Sequence, residues 1–245
     1  MSRILVVAKR VLTQLRHDKR LLGLSVMAPL LIIYLLKIFF DTMPKGFNNA
    51  RYIMPITAFM VHFLAFLLCA IVLVQERTAG TLERMFINGF RRIEIIGGYV
   101  LGYILLATFQ AAIALAQALW LFDLEYAWAD LAMLFGVIWL LAITSVMLGM
   151  FISTFARHEG QVFPFIPMII LPSVFLSGLL INPEQLPTWA NWLGHAFPLF
   201  YANDAIQEII GKTPSASVIW TNIAILVGYG LFLLTLASRT LKDVE

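Results

Sequence analysis

Six apolar runs of about twenty residues, parted by short polar connections, set the terms on which this chain can fold. They lie at roughly 21–40, 53–75, 96–122, 131–153, 163–181 and 216–238. The hydrocarbon core of a bilayer is about 30 Å thick and takes about 20 helical residues at 1.5 Å each. A membrane β-barrel would instead show alternating segments of about ten residues, a pattern the chain lacks. The runs predict an all-α polytopic membrane protein with six transmembrane helices in one domain over residues 1–245. Composition agrees, with 61% of residues apolar and 13% charged, against about 45–50% and roughly 25% in soluble domains. A soluble enzyme is excluded, and the connections are too short to hold a separate water-soluble domain. Cys69 is the sole cysteine, so no disulfide framework and no metal-ligand cysteine pair exists.

Orientation follows from the basic residues. Arg3, Lys9, Arg10, Arg16, Lys19 and Arg20 precede the first run; Arg77, Arg84, Arg91 and Arg92 follow the second; Arg157, Arg239 and Lys242 fall on the same side. Only Lys37, Lys45, Arg51 and Lys212 remain for the other. The excess predicts both termini in the cytoplasm. Basic residues ahead of an apolar stretch also suit a signal peptide, but Asp41, Thr42, Met43 and Pro44 offer no small-residue cleavage site. Residues 1–40 therefore read as an uncleaved start with a first span.

Two segments are amphipathic rather than spanning. Within 3–20, Ile4, Leu5, Ala8, Val11, Leu12 and Leu15 recur at helical spacing, with Lys9, Arg10, Arg16 and Lys19 elsewhere on the surface. That pattern predicts an N-terminal interfacial helix with its cations toward anionic headgroups; a plain topology determinant is the other reading. Between the last two runs, Pro183, Pro187, Trp189, Trp192, Pro198 and Tyr201 interleave with apolar pieces about half a bilayer long. Such pieces fit re-entrant or interfacial helices, with Pro198 dividing the stretch; an extracellular amphipathic loop is the alternative.

Residues suited to chemistry are few. His158-Glu159 begins like a zinc-protease HExxH, but position 162 is Val. Gly211-Lys212-Thr213 resembles the end of a phosphate-binding loop, yet position 206 is Ile where that motif has glycine. Neither motif stands, and no catalytic residue, metal site or cofactor is assigned. Intramembrane polar groups are costly without partners, which makes Tyr103, Gln110 and Gln117, at seven-residue spacing, candidates for a substrate path or for hydrogen bonds to a neighbouring helix. His62 is similarly placed, as a satisfied core histidine or a path residue. Lys37 stands four residues before Asp41 and suits an ion pair there. Pro164, Pro167 and Pro172 crowd the fifth run, each expected to remove a helix hydrogen bond. Gly98 and Gly102 form a small-xxx-small pair suited to close helix packing.

The most informative connection is residues 76–88. Glu76 and Glu83 stand seven apart, Leu82, Met85 and Phe86 make an apolar patch, and Asn88-Gly89 ends the segment. This reads as a surface helix across the end of a span, offering charge and a hydrophobic knob to a soluble partner.

At this point the chain resembles the membrane subunit of type-2 ATP-binding-cassette exporters, drug-resistance branch. The family's second cytoplasmic connection reads like E-R-E-x-G-T-L-E, matched here by Glu76, Arg77, Gly80, Thr81, Leu82 and Glu83. Residues 176–206 resemble the family's S-G-x-x-x-P-x-x-x-L-P and N-P-L-x-Y-A blocks; Ala196-Phe197 and Asn88-Gly89 depart from it. The resemblance implies that 76–88, with Met85 and Phe86, is a cytoplasmic coupling helix docking on a separate ATPase, and that 183–195 and 199–210 are paired outer re-entrant helices. It also implies two copies of that ATPase, holding ATP and Mg, and a second permease subunit, identical or paralogous. The expected activity is export of a hydrophobic or amphipathic compound, without nucleic-acid partners, in a bacterial inner membrane. Export of a polysaccharide or lipid-linked glycan is the neighbouring alternative, and an intramembrane lipid-modifying enzyme using His62, His158, Glu159 or His195 the distant one.

Overall fold

The computed structural model describes residues 2–44, 50–211 and 214–241. Lys45, Lys212 and Lys242 of the charge count, and the end of the Gly211-Lys212-Thr213 run, lie outside the described residues. Ten α-helices follow in order: α1 (Arg3–His17), α2 (Lys19–Asp41), α3 (Ala50–Thr78), α4 (Thr81–Ile87), α5 (Arg92–Leu121), α6 (Trp128–Ser153), α7 (Phe165–Leu176), α8 (Thr188–Gly194), α9 (Pro198–Ile210) and α10 (Ala216–Thr240). Short 3-10 turns cover Glu159–Gln161 and Pro183–Gln185, and the described residues contain no strand. Six stretches are long and apolar enough to cross a membrane: α2, α3, α5, α6, Glu159–Leu176 and α10.

Helix α6 is the centre of the bundle. It packs most extensively on α3 and also meets α10, α5 and α9. The α3–α6 approach is backbone to backbone, because a Cβ on Gly149 would stand 2.6 Å from the Phe66 carbonyl oxygen and 2.8 Å from Cys69 Cβ. Large apolar side chains, including Phe66, Leu73, Leu134, Ile138 and Leu141, fill the interior. Helices α2, Glu159–Leu176 and α10 bury much smaller shares of their surface; inside a bilayer, packing and interhelical hydrogen bonds order such helices rather than the hydrophobic effect.

The N-terminal segment packs one face against the bundle. α1 stops at His17, and Asp18 caps α2 by accepting from the Leu21 amide at 2.9 Å. Its buried residues are Val7, Ala8, Val11 and Leu15, turned onto α5 where glycines let the backbones close. A Cβ on Gly98 would fall 2.4 Å from Val7 Cβ, and one on Gly102 2.5 Å from Val11 Cγ1. Leu5 and Val6 stay exposed, so part of the apolar face points away from the bundle. The small-xxx-small pair of α5 thus receives α1.

The fifth run, read as 163–181, yields only the twelve-residue α7, about 18 Å long. Pro164 is its N-cap, Pro167 falls in the first turn, and only Pro172 lies inside the helix. First-turn amides have no intrahelical acceptor, so two of the three prolines remove nothing. Gly178, at φ +83°, turns the chain beyond α7.

Two other prolines are repaired from neighbouring helices. Pro29 lies inside α2 and Pro55 inside α3, and each withholds the N–H that would serve the carbonyl four residues earlier. Those carbonyls belong to Ser25 and Arg51. Gln110 of α5 donates to Ser25 O at 3.0 Å, and Gln207 of α9 donates to Arg51 O at 3.1 Å.

Candidate functional site

The basic residues gather at one end of the bundle, and hydrogen bonds tie its connections into a plate. Arg3 donates to the Gly89 carbonyl, and Arg77 to that of Ala156. Gln75 donates to Glu159 at 3.2 Å, and Thr154 meets Thr240 at 2.8 Å. The sequence pattern places one helix over 76–88; the structure instead continues α3 through Thr78 and starts α4 at Thr81. Gly80 makes the break at φ +66°, in the left-handed region that glycine enters without steric cost. At the other end of α4, Asn88 Nδ2 donates to Arg84 O at 2.7 Å, and Gly89, at φ +75°, turns the chain toward α5. The Glu94 carboxylate then accepts from the Arg91 amide at 2.8 Å and caps the helix start.

Glu76 is the hub of this plate. Its carboxylate accepts from Arg10 Nη2 at 2.7 Å, from Gln14 Nε2 at 3.2 Å and from the Thr81 hydroxyl. Thr81 Oγ1 also lies 3.0 Å from Glu76 O. One buried carboxylate thereby joins α1, the end of α3 and the start of α4. A buried carboxylate is stable only with such partners.

Leu82 and Met85 do not form the surface knob read from the sequence. Both are buried against the bundle, and Phe86 is half-buried beside them. A seven-residue helix has about two turns, and this one spends its apolar side holding itself to the protein. Its outward face consists of Glu83, Arg84, Ile87 and Asn88, with Ile87 84% exposed. Glu76 and Arg77 face inward too, as clasps within the chain.

The spaced polar residues of α5 point toward neighbouring helices. Gln110 bonds Ser25 O, Gln117 Nε2 donates to Leu30 O at 2.8 Å, and Tyr103 is buried in the main core. His62 Nδ1 lies 2.6 Å from Ser145 Oγ, while Ser145 donates to Leu141 O, which leaves His62 Nδ1 as the donor. His62 Nε2 has no partner, so this core histidine is only half satisfied. Lys37 pairs with Asp41 at 2.7 Å.

At the opposite end, α8 packs on α7, and after a short turn α9 packs into the bundle against α10, α6 and α3. Tyr229, midway along α10, donates to Ala196 O at 2.8 Å, and Asn222, seven residues nearer the start of α10, donates to Asp204 at 2.7 Å. The α8–α9 turn therefore sits halfway down α10. Pro198 opens α9, and Tyr201 donates to His195 O at 2.9 Å. Pro183, Trp192 and Tyr201 border a cavity of about 700 Å³. Pro187 is the N-cap of α8, and Trp189, in its first turn, is exposed. Among the described residues no cluster of His, Cys, Asp and Glu could hold a metal ion.

The partners of Glu76 escape a sequence reading, since Arg10 and Gln14 lie more than sixty positions away and share no motif with it. The glutamine at 207 escapes it as well; the prolines signal an orphaned carbonyl but not its donor.

Comparison with known proteins resolves what such a bundle belongs to. The model of the ABC-2 type transporter family matches residues 2–210. The chain belongs to this family. ABC-2 relatives include a probable multidrug ABC transporter permease, YbhR, of Escherichia coli K12, 26% identical over 61% of this chain and 40% of its own. The linearmycin resistance permease protein LnrN of Bacillus subtilis is 22% identical over 69% of this chain and 44% of its own. ABC transporter G family member 20 of Dictyostelium discoideum is 25% identical over 82% of this chain and 28% of its own. The chain thus spans less than half the length of these ABC-2 relatives.

Proposed function

We propose that this chain is the membrane subunit of an ATP-driven exporter of a hydrophobic or amphipathic compound, coupled through α4 to a separate cytoplasmic ABC ATPase. The family implies association with an ABC ATPase component, and two relatives carry multidrug and linearmycin-resistance names. The observation that carries the reading is α4 itself. It is a short helix fixed at the basic end by the Glu76 clasp and by buried Leu82 and Met85, with a free face of Glu83, Arg84, Ile87 and Asn88. A partner pressing on that face moves α4, and the clasp passes the displacement to α1 and α3 together. Rigid spans then carry it to α8 and α9, re-entrant elements beside the exit. Two ATPases and a second permease copy complete the assembly. The basic end faces the cytoplasm of a bacterial cell, in keeping with the charge distribution.

The test is reconstitution with a cytoplasmic ABC ATPase that co-purifies with it, followed by ATP-dependent uptake of an amphipathic dye into inverted vesicles. Glu83→Lys and Ile87→Asp leave the core untouched and are expected to lower ATPase binding and transport at least tenfold, with unchanged thermal stability. Wild-type transport in both variants would remove the coupling assignment.

A further inference from the structure

The cavity of about 700 Å³ at the end opposite the basic plate is walled from two sides. Thr188, Asn191, Trp192 and His195 recur at i, i+3, i+4 and i+7, so one face of α8 makes the first wall. Glu184, from the 3-10 turn before α8, and Tyr201 of α9 stand on the other. Toward the protein α8 turns small residues instead. Ala190 and Gly194 are buried, and a Cβ on Gly194 would stand 2.7 Å from Leu176 O. Trp192, 77% exposed, is left on the free side. We propose that this cavity binds one organic cation with an apolar body, its positive charge held between the Glu184 carboxylate and the rings of Trp192 and Tyr201.

Three observations fix that chemistry. Glu184 takes part in no ion pair among the described residues, so a carboxylate at the wall keeps its charge for a ligand. The aromatic wall is already ordered. Tyr201 donates to His195 O, and its ring stands edge-on to those of His195 and Phe200, with centroids 6.0 and 5.5 Å away. Asn191 Nδ2 donates to Pro183 O at 3.2 Å and ties the turn bearing Glu184 to α8. Ring faces attract a cation, and an ordered site loses less freedom on binding. The volume, lastly, falls within the range of about 300–1,000 Å³ that holds drug-sized ligands. A hard metal ion takes about six oxygen ligands, which one carboxylate among rings does not supply. A zwitterionic lipid headgroup would bring its phosphate up to Glu184. An aromatic belt at the headgroup boundary accounts for Trp189, exposed and outside the cavity, but not for a carboxylate set among rings. His195 adjoins Ala196, which Tyr229 holds halfway along α10, so that side of the cavity lies level with mid-span. Its service as an exit station for cargo rests on the export reading above; the binding itself does not.

The test uses the purified full chain in neutral detergent micelles, with saturable binding measured by equilibrium dialysis against protein-free micelles. Tetraphenylphosphonium is compared with tetraphenylborate, which has the same shape and the opposite charge. One tetraphenylphosphonium per chain is expected to bind, and tetraphenylborate is expected to show no saturable binding. Trp192→Ala is expected to weaken binding about fivefold, and Glu184→Gln about fivefold as well. Both positions are exposed, so thermal unfolding is expected to be unchanged. Trp189→Ala and Glu125→Gln remove a tryptophan and a carboxylate outside the cavity and are expected to leave binding as it is. Phosphatidylethanolamine is expected not to displace the bound cation. Equal binding of tetraphenylborate, wild-type affinity in Glu184→Gln or Trp192→Ala, equal losses in the two outside variants, or displacement by phosphatidylethanolamine would each overturn the proposal. Glu83→Lys is expected to keep this binding, so lost coupling with intact binding, or the reverse, separates the two readings.

Discussion

The pairing of Pro29 with Gln110 makes a sharp quantitative prediction. Gln110 Nε2 stands 3.0 Å from Ser25 O, the carbonyl that loses its intrahelical donor because residue 29 has no N–H. Gln110→Leu keeps the volume and removes the donor. Interhelical hydrogen bonds in membrane proteins contribute about 0.6–2 kcal/mol. With no competing donor on α2 the upper end applies, so the cost is expected to be about 2 kcal/mol. In a Pro29→Ala background the backbone N–H restored at position 29 can serve Ser25 O, and the same Gln110→Leu change is expected to cost about 0.5 kcal/mol. The coupling energy is then about 1.5 kcal/mol, well above the additivity error of about 0.3–0.5 kcal/mol. The assay is unfolding in mixed micelles by sodium dodecyl sulfate titration, for wild type, both single variants and the double. Equal costs of Gln110→Leu in the two backgrounds would refute the reasoning. Gln207 and Pro55 form a second instance at Arg51 O, where water is closer, and the same cycle is expected to give a smaller coupling of the same sign.

Other expectations follow from named contacts. Arg10 and Glu76 stand between an exposed and a buried pair, with side chains 34% and 10% exposed; a cycle of Arg10→Gln and Glu76→Gln is expected to show about 1–2 kcal/mol of coupling by thermal unfolding. Gly149→Ala places a Cβ against Phe66 O and is expected to destabilise by about 1–3 kcal/mol. Gly136→Ala, with nothing within 4 Å, is expected to stabilise by about 0.5–1 kcal/mol, and micelle unfolding separates the two. Gly102→Ala is expected to push α1 off α5 and raise amide exchange along α1 at least tenfold without altering the α3–α6 core.

The bundle is legible in the sequence because lipid permits so few alternatives. Twenty apolar residues in a row must span, and hydropathy locates α2, α3, α5, α6 and α10 to within a few residues. It overextends the fifth run, because Ser177 to Ile181 are no less suited to a helix by composition, and only Gly178 marks the turn. The surface helix and its outward charge are visible in the pattern, but the pattern places its apolar side outward as well, where the structure turns Leu82 and Met85 inward. Over two turns, Leu82, Met85 and Phe86 are equally a surface for a stranger and a foot on the bundle, and only the positions of α1 and α5 decide between them. Glu76 stands out as charge and not as a hub for the same reason, since two of its donors, Arg10 and Gln14, come from a helix more than sixty residues earlier. His62 and the glutamines of α5 stand out as polar groups in lipid; which carbonyl or hydroxyl each meets depends on helix rotation, which a single sequence does not encode.

The central position of α6 has a consequence for biogenesis. Its most extensive contact is with α3, and α5 is synthesised between the two. α3 therefore leaves the insertion machinery with its main neighbour unmade, and α2 waits for Gln110 to emerge before its proline-opened carbonyl is served. The first three spans meet one another through α5, but the face of α3 that receives α6 stays against lipid until the ribosome has delivered the fourth. A chaperone-like insertase, or slow elongation through residues 128–153, would matter more for yield than any property of the finished bundle.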